Sequence, residues 1–190
     1  DQLIKPFLLG RDAKAYETAK TVKYLILLEK GFTKSRIGKT VDEDEAWRGL
    51  QRTYPSIAEW LKPFEERGRK RTDKGDYWWE IRACDYYEMF SKPKIMYQAF
   101  QVKPCFIFDE TNLYCNNSMW FIPTRDKGLL AILNSKMGWW LITKYCTQIQ
   151  HGCQLIWKYF DQIPIPTTTA DIAAKADQML SLSKELQETS

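Results

Sequence analysis

Carboxylates, thiols, one imidazole and a run of cations are the groups through which this chain could act on another molecule. A PD-(D/E)xK nuclease needs carboxylates and a lysine on adjacent strand positions to hold a divalent ion. Asp109 and Glu110 have no following lysine in that register, and the acids at 42–45 read as part of a loop. An adenine methyltransferase needs a glycine-rich cofactor loop and an Asn/Asp-Pro-Pro-aromatic motif that holds a flipped base; neither is present. No Walker loop reads in residues 31–40. The five cysteines (Cys84, Cys105, Cys115, Cys146, Cys153) give an odd count without a Cys-x-x-Cys, which argues against a disulfide framework or a zinc ribbon. Cys146, His151 and Cys153 supply only three neighbouring ligands at a spacing foreign to zinc knuckles, so buried reduced thiols are the better reading. His151 also lacks a carboxylate at catalytic spacing. These residues do not add up to an enzyme.

Binding chemistry is better supplied. Lys62, Arg67, Arg69, Lys70, Arg71 and Lys74 stand against three acids within residues 62–74. Such a patch can follow a phosphate backbone, or it can be a solvated loop or helix face. Gln148, Gln150, His151 and Gln154 surround Gly152, a residue free to take positive φ. Side-chain amides of this kind read base edges in the major groove. Lys92 and Lys94 flank Pro93 in a turn that serves either as a rigid strand entry or as a phosphate contact. Trp78 and Trp79 could stack on bases, but packing against a sheet accounts for them better.

The elements that must position these side chains follow from local patterns. Residues 2–9 read as a strand or extended entry whose pairing Pro6 limits, and Asp12 as the N-cap of a short helix through Tyr16. Residues 22–28 read as an aliphatic strand, and the basic, glycine-punctuated residues 32–41 as a loop. Pro55 suits the first turn of a helix with Ile57, Trp60, Leu61 and Phe64 as its apolar stripe, kinked at Pro63. Strands are expected at 78–81, 95–100, 105–109 and 118–122, with Thr111-Asn112 closing a hairpin between Phe108 and Leu113. Asn116-Asn117 is a further turn or bulge pair. Leu129, Leu130, Leu133, Met137, Trp140 and Leu141 recur at helical spacing and predict one core-facing helix over 127–145. Residues 148–154 then read as a polar loop.

Pro164 and Pro166 mark the end of a globular body over 1–166. A helix over 167–190 follows, with a capping-box-like start at Thr168 and Asp171 and a seam of Ile172, Met179, Leu182 and Leu186. A lone helix of this length is marginal in water, so it should dock on the body or on a partner.

At 190 residues, 44% hydrophobic and 14% aromatic, the chain can bury a real core, and disorder is excluded. Its net charge of +4 is mild, so the distribution of charge matters more than the sum. No signal-like segment and no membrane-length apolar run is read, which points to a soluble, cytoplasmic protein. Opening at Asp1 directly into an apolar segment looks like a piece of a longer polypeptide.

The order of motifs from Glu80 onward carries a resemblance: WWEIR, FSKPKIMY, IFDETNLYCNNSMWFIP, LLAILNSKMGWWLI and WKYFDQIPIP, with IKPFLLGRDAKAY upstream. Together they resemble the TaqI-like C-terminal specificity domain, the target recognition domain of adenine-specific DNA methyltransferases and fused restriction-modification enzymes. Type I specificity subunits are similar more distantly. The resemblance implies an α/β (α+β) fold, a mixed and mostly antiparallel sheet with packed helices plus a C-terminal helix. It implies a non-catalytic, sequence-specific binder of double-stranded DNA, partnered with a methyltransferase or nuclease domain of the same polypeptide. S-adenosylmethionine and magnesium would belong to those other domains. The 148–154 segment occupies the place of the family's glycine-rich loop but has fewer glycines. Two rivals remain: a protein-interaction module acting through the terminal helix, and a carbohydrate-binding domain suggested by eight tryptophans.

Overall fold

Two concentrations of aromatic and aliphatic residues, one before Tyr86 and one after it, organise the chain into two compact units. The computed structural model describes residues 3–17, 23–38 and 42–189. The first unit comprises Asp1–Lys5 and Tyr24–Tyr86, the second Pro6–Lys23 and Tyr87–Ser190. The fold is mixed α/β, with three small sheets that are mostly antiparallel.

In the first unit, the opening residues of β1 (Ile4–Leu8) have β2 (Lys23–Ile26) as their neighbour. Short helices follow: α1 (Phe32–Arg36), α2 (Glu43–Thr53), α3 (Pro55–Leu61) and, after a 3-10 turn at Lys62–Phe64, α4 (Glu65–Arg69). The first two of these helices replace expected loops. The side chain of Asp42 accepts from the Asp44 amide at 3.1 Å, and Glu43, Asp44 and Glu45 oppose the dipole of the first turn of α2. α1 is capped from far away in sequence. The buried Glu80 carboxylate accepts from the amides of Gly31 (3.1 Å), Thr33 (2.9 Å) and Asp76 (2.9 Å). Pro55 takes the N1 position as expected, and Pro63, which has no N–H to donate, falls where the α-helix gives way to the 3-10 turn. The stripe is only half right: Ile57 and Leu61 pack on the core, while Trp60 and Phe64 are exposed.

The core of this unit is aromatic. Tyr77, Trp78 and Trp79 are buried with Leu28, Ala46, Leu50 and Ala58. Tyr77 stacks on Trp79 at 4.8 Å, and Trp47 lies 4.9 Å from Trp78 and 5.1 Å from Trp79. Four consecutive buried residues, 77–80, cannot alternate between two faces as a half-buried strand does. The strand expected at 78–81 is accordingly a turn, with only Ile81 bridging to Glu29 and Lys74.

The second unit contains β3 (Lys94–Gln98), β4 (Phe100–Gln101), β5 (Phe106–Asp109), β6 (Tyr114–Cys115) and β7 (Met119–Pro123), then α5 (Lys127–Asn134) and α6 (Lys136–Tyr145). β8 (Thr147–Ile149), β9 (Gly152–Gln154), α7 (Trp157–Phe160) and α8 (Ala170–Glu188) complete it. β3 is central, antiparallel to both β5 and β7. No hairpin joins β5 to β6, contrary to expectation, because β6 instead runs parallel to the last residues of β1, with Phe7 opposite Tyr114. The turn at Asn112 is real, with φ at 62°. The short helix expected after Asp12 is a 3-10 turn over Gly10–Asp12, ahead of a Tyr16 with φ at 61°.

The helix read over 127–145 is two helices. Ser135 breaks it: its hydroxyl donates to the Ile132 carbonyl at 2.7 Å and accepts from the Gly138 amide at 2.9 Å, closing α5 and opening α6 at once. A Cβ on Gly138 would lie 2.0 Å from the Ile132 carbonyl oxygen, so this corner requires glycine. The break rotates the second half of the expected stripe. Leu130 and Leu133 are buried with Ile95, Tyr97, Phe106 and Ile142, but Met137 and Trp140 face outward, 65% and 54% exposed.

α8 packs along α5 and belongs to the second unit. Its N-cap is Thr169, whose hydroxyl accepts from Ile172, while Thr168 donates to Asp126 at 2.9 Å. Ala176 is buried and Leu180 packs on the core, so small residues make the close approach and the larger Met179, Leu182 and Leu186 stay exposed. Lys127 pairs with Asp177 at 2.6 Å across the two helices. Among the described residues no helix is long and apolar enough to cross a membrane.

Candidate nucleic-acid interface

The six cations expected at phosphates all lie in the first unit, along α4 and its flanks. They are largely matched internally. Lys62 pairs with Glu65 at 2.5 Å, Arg69 with Glu65 at 2.9 Å and also with Glu43, and Lys70 with Glu66 at 2.6 Å. Arg71 pairs with Asp73 at 3.2 Å, and the Lys74 ammonium donates to the Arg69 carbonyl at 2.8 Å. Arg67 alone of the six has no ion pair or hydrogen bond among the described residues. Lys62 and Arg69 hold the Glu65 carboxyl below the usual carboxylate range. Such exposed pairs contribute little in water, so a phosphate could displace them at small cost, but they leave the patch only weakly positive.

Lys92 and Lys94 part company. Lys92 is exposed. Lys94 is fully buried, bonded to Asp109 and donating to the Phe90 carbonyl at 2.6 Å, so its expected phosphate contact is corrected. β3 is packed on both faces, and an ammonium there must be paired. Asp109 also accepts from the Thr111 amide (2.9 Å), the Thr111 hydroxyl (2.7 Å) and the Leu113 amide (3.0 Å). This carboxylate therefore builds the turn after β5 and has no lone pair in reserve for a metal. Among the described residues no cluster of His, Cys, Asp and Glu could hold one.

The remaining candidates form a tongue rather than a loop. β8 and β9 are an antiparallel hairpin on the sheet β4-β9-β8, and β8 is its edge. All three β8 residues are exposed, as are Gln150 and His151 at the tip. Gln150, not Gly152, takes the positive φ, at 50°. Gly152 is needed for space instead, since a Cβ there would meet the Gln101 carbonyl oxygen at 2.4 Å. The Gln148 amide donates to the Thr143 carbonyl at 3.0 Å, which ties the hairpin to the last turn of α6. Gln154 is half-buried in β9, opposite Phe100. The structure thus brings Gln148, Gln150 and His151 together on one exposed element. It places the basic stretch on the other unit.

Other chemistry stays closed. Cys146 and Cys153 are buried, and burial pushes the Cys146 thiol up to about 11 and the Cys115 thiol up to about 12. His151 is exposed while Cys146 and Cys153 are buried, and the three form no metal-holding group. Residues 31–40 end in Gly38-Lys39-Thr40, the close of a Walker loop, but lack its opening. The first glycine of that motif is replaced by Thr33, whose hydroxyl is taken by Trp79 at 2.9 Å, and residues 32–36 form α1 where the motif needs its loop. Lys39 and Thr40 lie outside the described residues. Trp78 and Trp79 are core, as expected. Sequence reasoning misses the outward face of α6, because Met137 and Trp140 fit the stripe of an unbroken helix.

No curated protein matches the chain. Residues 5–165, spanning β1 to the exit after α7, match the family of TaqI-like C-terminal specificity domains. The order of elements along the chain and the extent of that match agree: this chain belongs to the TaqI-like C-terminal specificity domain family.

Proposed function

We propose that the chain is the duplex-DNA recognition domain of a restriction-modification polypeptide, directing a methyltransferase or nuclease domain to its target. Family membership over residues 5–165 is the observation that carries this reading. The exposed hairpin supports it locally. Gln148, Gln150 and His151 offer donors and acceptors on an element thin enough to enter a groove, held by a fixed hydrogen bond to α6. In this reading the domain itself is not catalytic. S-adenosylmethionine and magnesium serve the neighbouring domains, and the work is done in the cytoplasm where the DNA is.

Selection from a random duplex pool, followed by titration of the enriched duplex at several salt concentrations, tests the proposal. An enriched sequence bound with a steep salt dependence supports it; recovery of no sequence and no binding at low salt refutes it. A second reading rests on α8, whose exposed Met179, Leu182 and Leu186 could seat another helix. It gains if DNA binding is absent and L182A/L186A dissociates an oligomer of the purified chain.

A further inference from the structure

Most of the cations along α4 are answered by acids, whereas the second unit carries a stretch of positive charge with none. No acidic residue occurs between Asp126 and Asp161, a stretch that carries Lys127, Lys136, Lys144 and Lys158. Lys127 is committed to Asp177. Lys136 and Lys144 are exposed and form no ion pair among the described residues. Both lie on α6, and with Trp140 they are spaced by four residues, which places the three on one helix face over about 12 Å at 1.5 Å per residue.

Trp140 sits midway, 54% exposed, and the Lys144 ammonium stands 5.7 Å from its ring centroid. Helix stability does not account for this stripe. Lys144 near the C-terminus suits the macrodipole, but Lys136 is the first residue of α6, where a positive charge is disfavoured. The same helix is tied to the hairpin, since Gln148 donates to the Thr143 carbonyl at 3.0 Å. A basic ridge with an indole at its centre thus continues directly into the amide-bearing tongue.

We propose that the outer face of α6, through Lys136, Trp140 and Lys144, is where the second unit grips the backbone of duplex DNA and so sets the register of the hairpin on the bases. The inference rests on the proposed DNA-recognition function and assigns its phosphate-binding surface. A duplex presents one negative charge per about 1.7 Å of axis, so a 12 Å ridge, about the span of eight residues, faces several phosphates. Two unpaired ammonium groups meet phosphate oxygens, and the exposed indole packs on the sugars between them. A protein partner fits less well. Its interface would need a depleted-charge, apolar centre, whereas here the indole is bracketed by lysines.

The test uses fluorescence anisotropy with a short labelled duplex of arbitrary sequence, titrated at several salt concentrations, on the whole chain and on K136Q/K144Q, W140A and R69A/K70A/R71A. Lys136 and Lys144 have no ion-pair partners to lose, so circular dichroism spectra should match the parent. The expected result is a log–log salt slope shallower by about 1.8 for K136Q/K144Q, two phosphates at about 0.9 each, with roughly tenfold weaker binding at low salt. W140A should weaken binding and leave the slope unchanged, and the triple variant should keep most of the slope. Parent-like slope and affinity in K136Q/K144Q, while the parent binds, overturns this inference and leaves DNA recognition standing. A parent chain that binds no duplex at low salt overturns both.

Discussion

Removing either member of the buried Lys94–Asp109 pair should destabilise the protein, and not equally. Lys94 has two partners, Asp109 and the Phe90 carbonyl. Asp109 has, besides Lys94, three donors from Thr111 and Leu113. Lys94→Met therefore leaves a buried carboxylate that is still held by three hydrogen bonds, and should cost about 2–3 kcal/mol. Asp109→Asn leaves a buried ammonium facing one carbonyl and an uncharged amide. It also weakens three bonds that now end on a carboxylate, so the cost should reach about 3–5 kcal/mol. In the double variant neither charge remains uncompensated. Its cost should fall short of the sum of the two single costs by about 2 kcal/mol, the signature of coupled neighbours. Urea unfolding followed by circular dichroism gives the three free energies. A Lys94→Met chain less stable than Asp109→Asn, or a strictly additive double variant, would refute this account of the pair.

Three further outcomes are expected. Gly138→Ala should destabilise by about 1–3 kcal/mol in the same unfolding assay, because the added methyl meets a backbone carbonyl 2.0 Å away at the α5–α6 corner. Alkylation of Cys146 and Cys115 should be slow at pH 8 and rise only in strongly alkaline buffer, since burial raises these thiols to about 11 and about 12 and only the thiolate reacts; mass spectrometry of iodoacetamide-treated protein reads it. Gln150→Ala should shift which duplexes are enriched in a pool selection, by about 1–3 kcal/mol per lost base contact, and leave the salt slope as it was.

The features legible in the sequence are those that neighbours along the chain decide. Pro55 opens α3, Asn112 turns with positive φ, and the apolar runs at 95, 106 and 119 become β3, β5 and β7, because each depends on residues within a few positions. The failures share a different cause. α1 exists because Glu80 caps it from beyond α4, and no local pattern announces that. The order β5-β3-β7 and the parallel match of β6 to β1 depend on distant partners, so the turn signal at 111–112 is genuine without making a hairpin. In the terminal helix the largest apolar residues suggest the seam, yet close approach to α5 selects Ala176, with Leu180 beside it, and turns the larger side chains out. At the site, residue types are legible but commitments are not. Lysine reads alike whether it faces solvent, as Lys92 does, or lies at 0% exposure in an ion pair, as Lys94 does.

The path of β1 has a consequence for how the molecule forms. Its first residues belong to one unit and its last to the other, so the second unit is interrupted in sequence by the bulk of the first. Phe7 and Leu8 are made before the intervening unit but meet Tyr114 and Cys115 only after it has been made. Leu8 and Ala13, which complete the core around Met96, Ile107 and Met119, wait equally long. The first unit can therefore condense during synthesis, while the second pays a long loop closure and folds late. Severing the chain at Tyr86 and expressing residues 87–190 alone would remove Leu8, strip β6 of its β1 partner, and yield an aggregating product rather than a smaller domain.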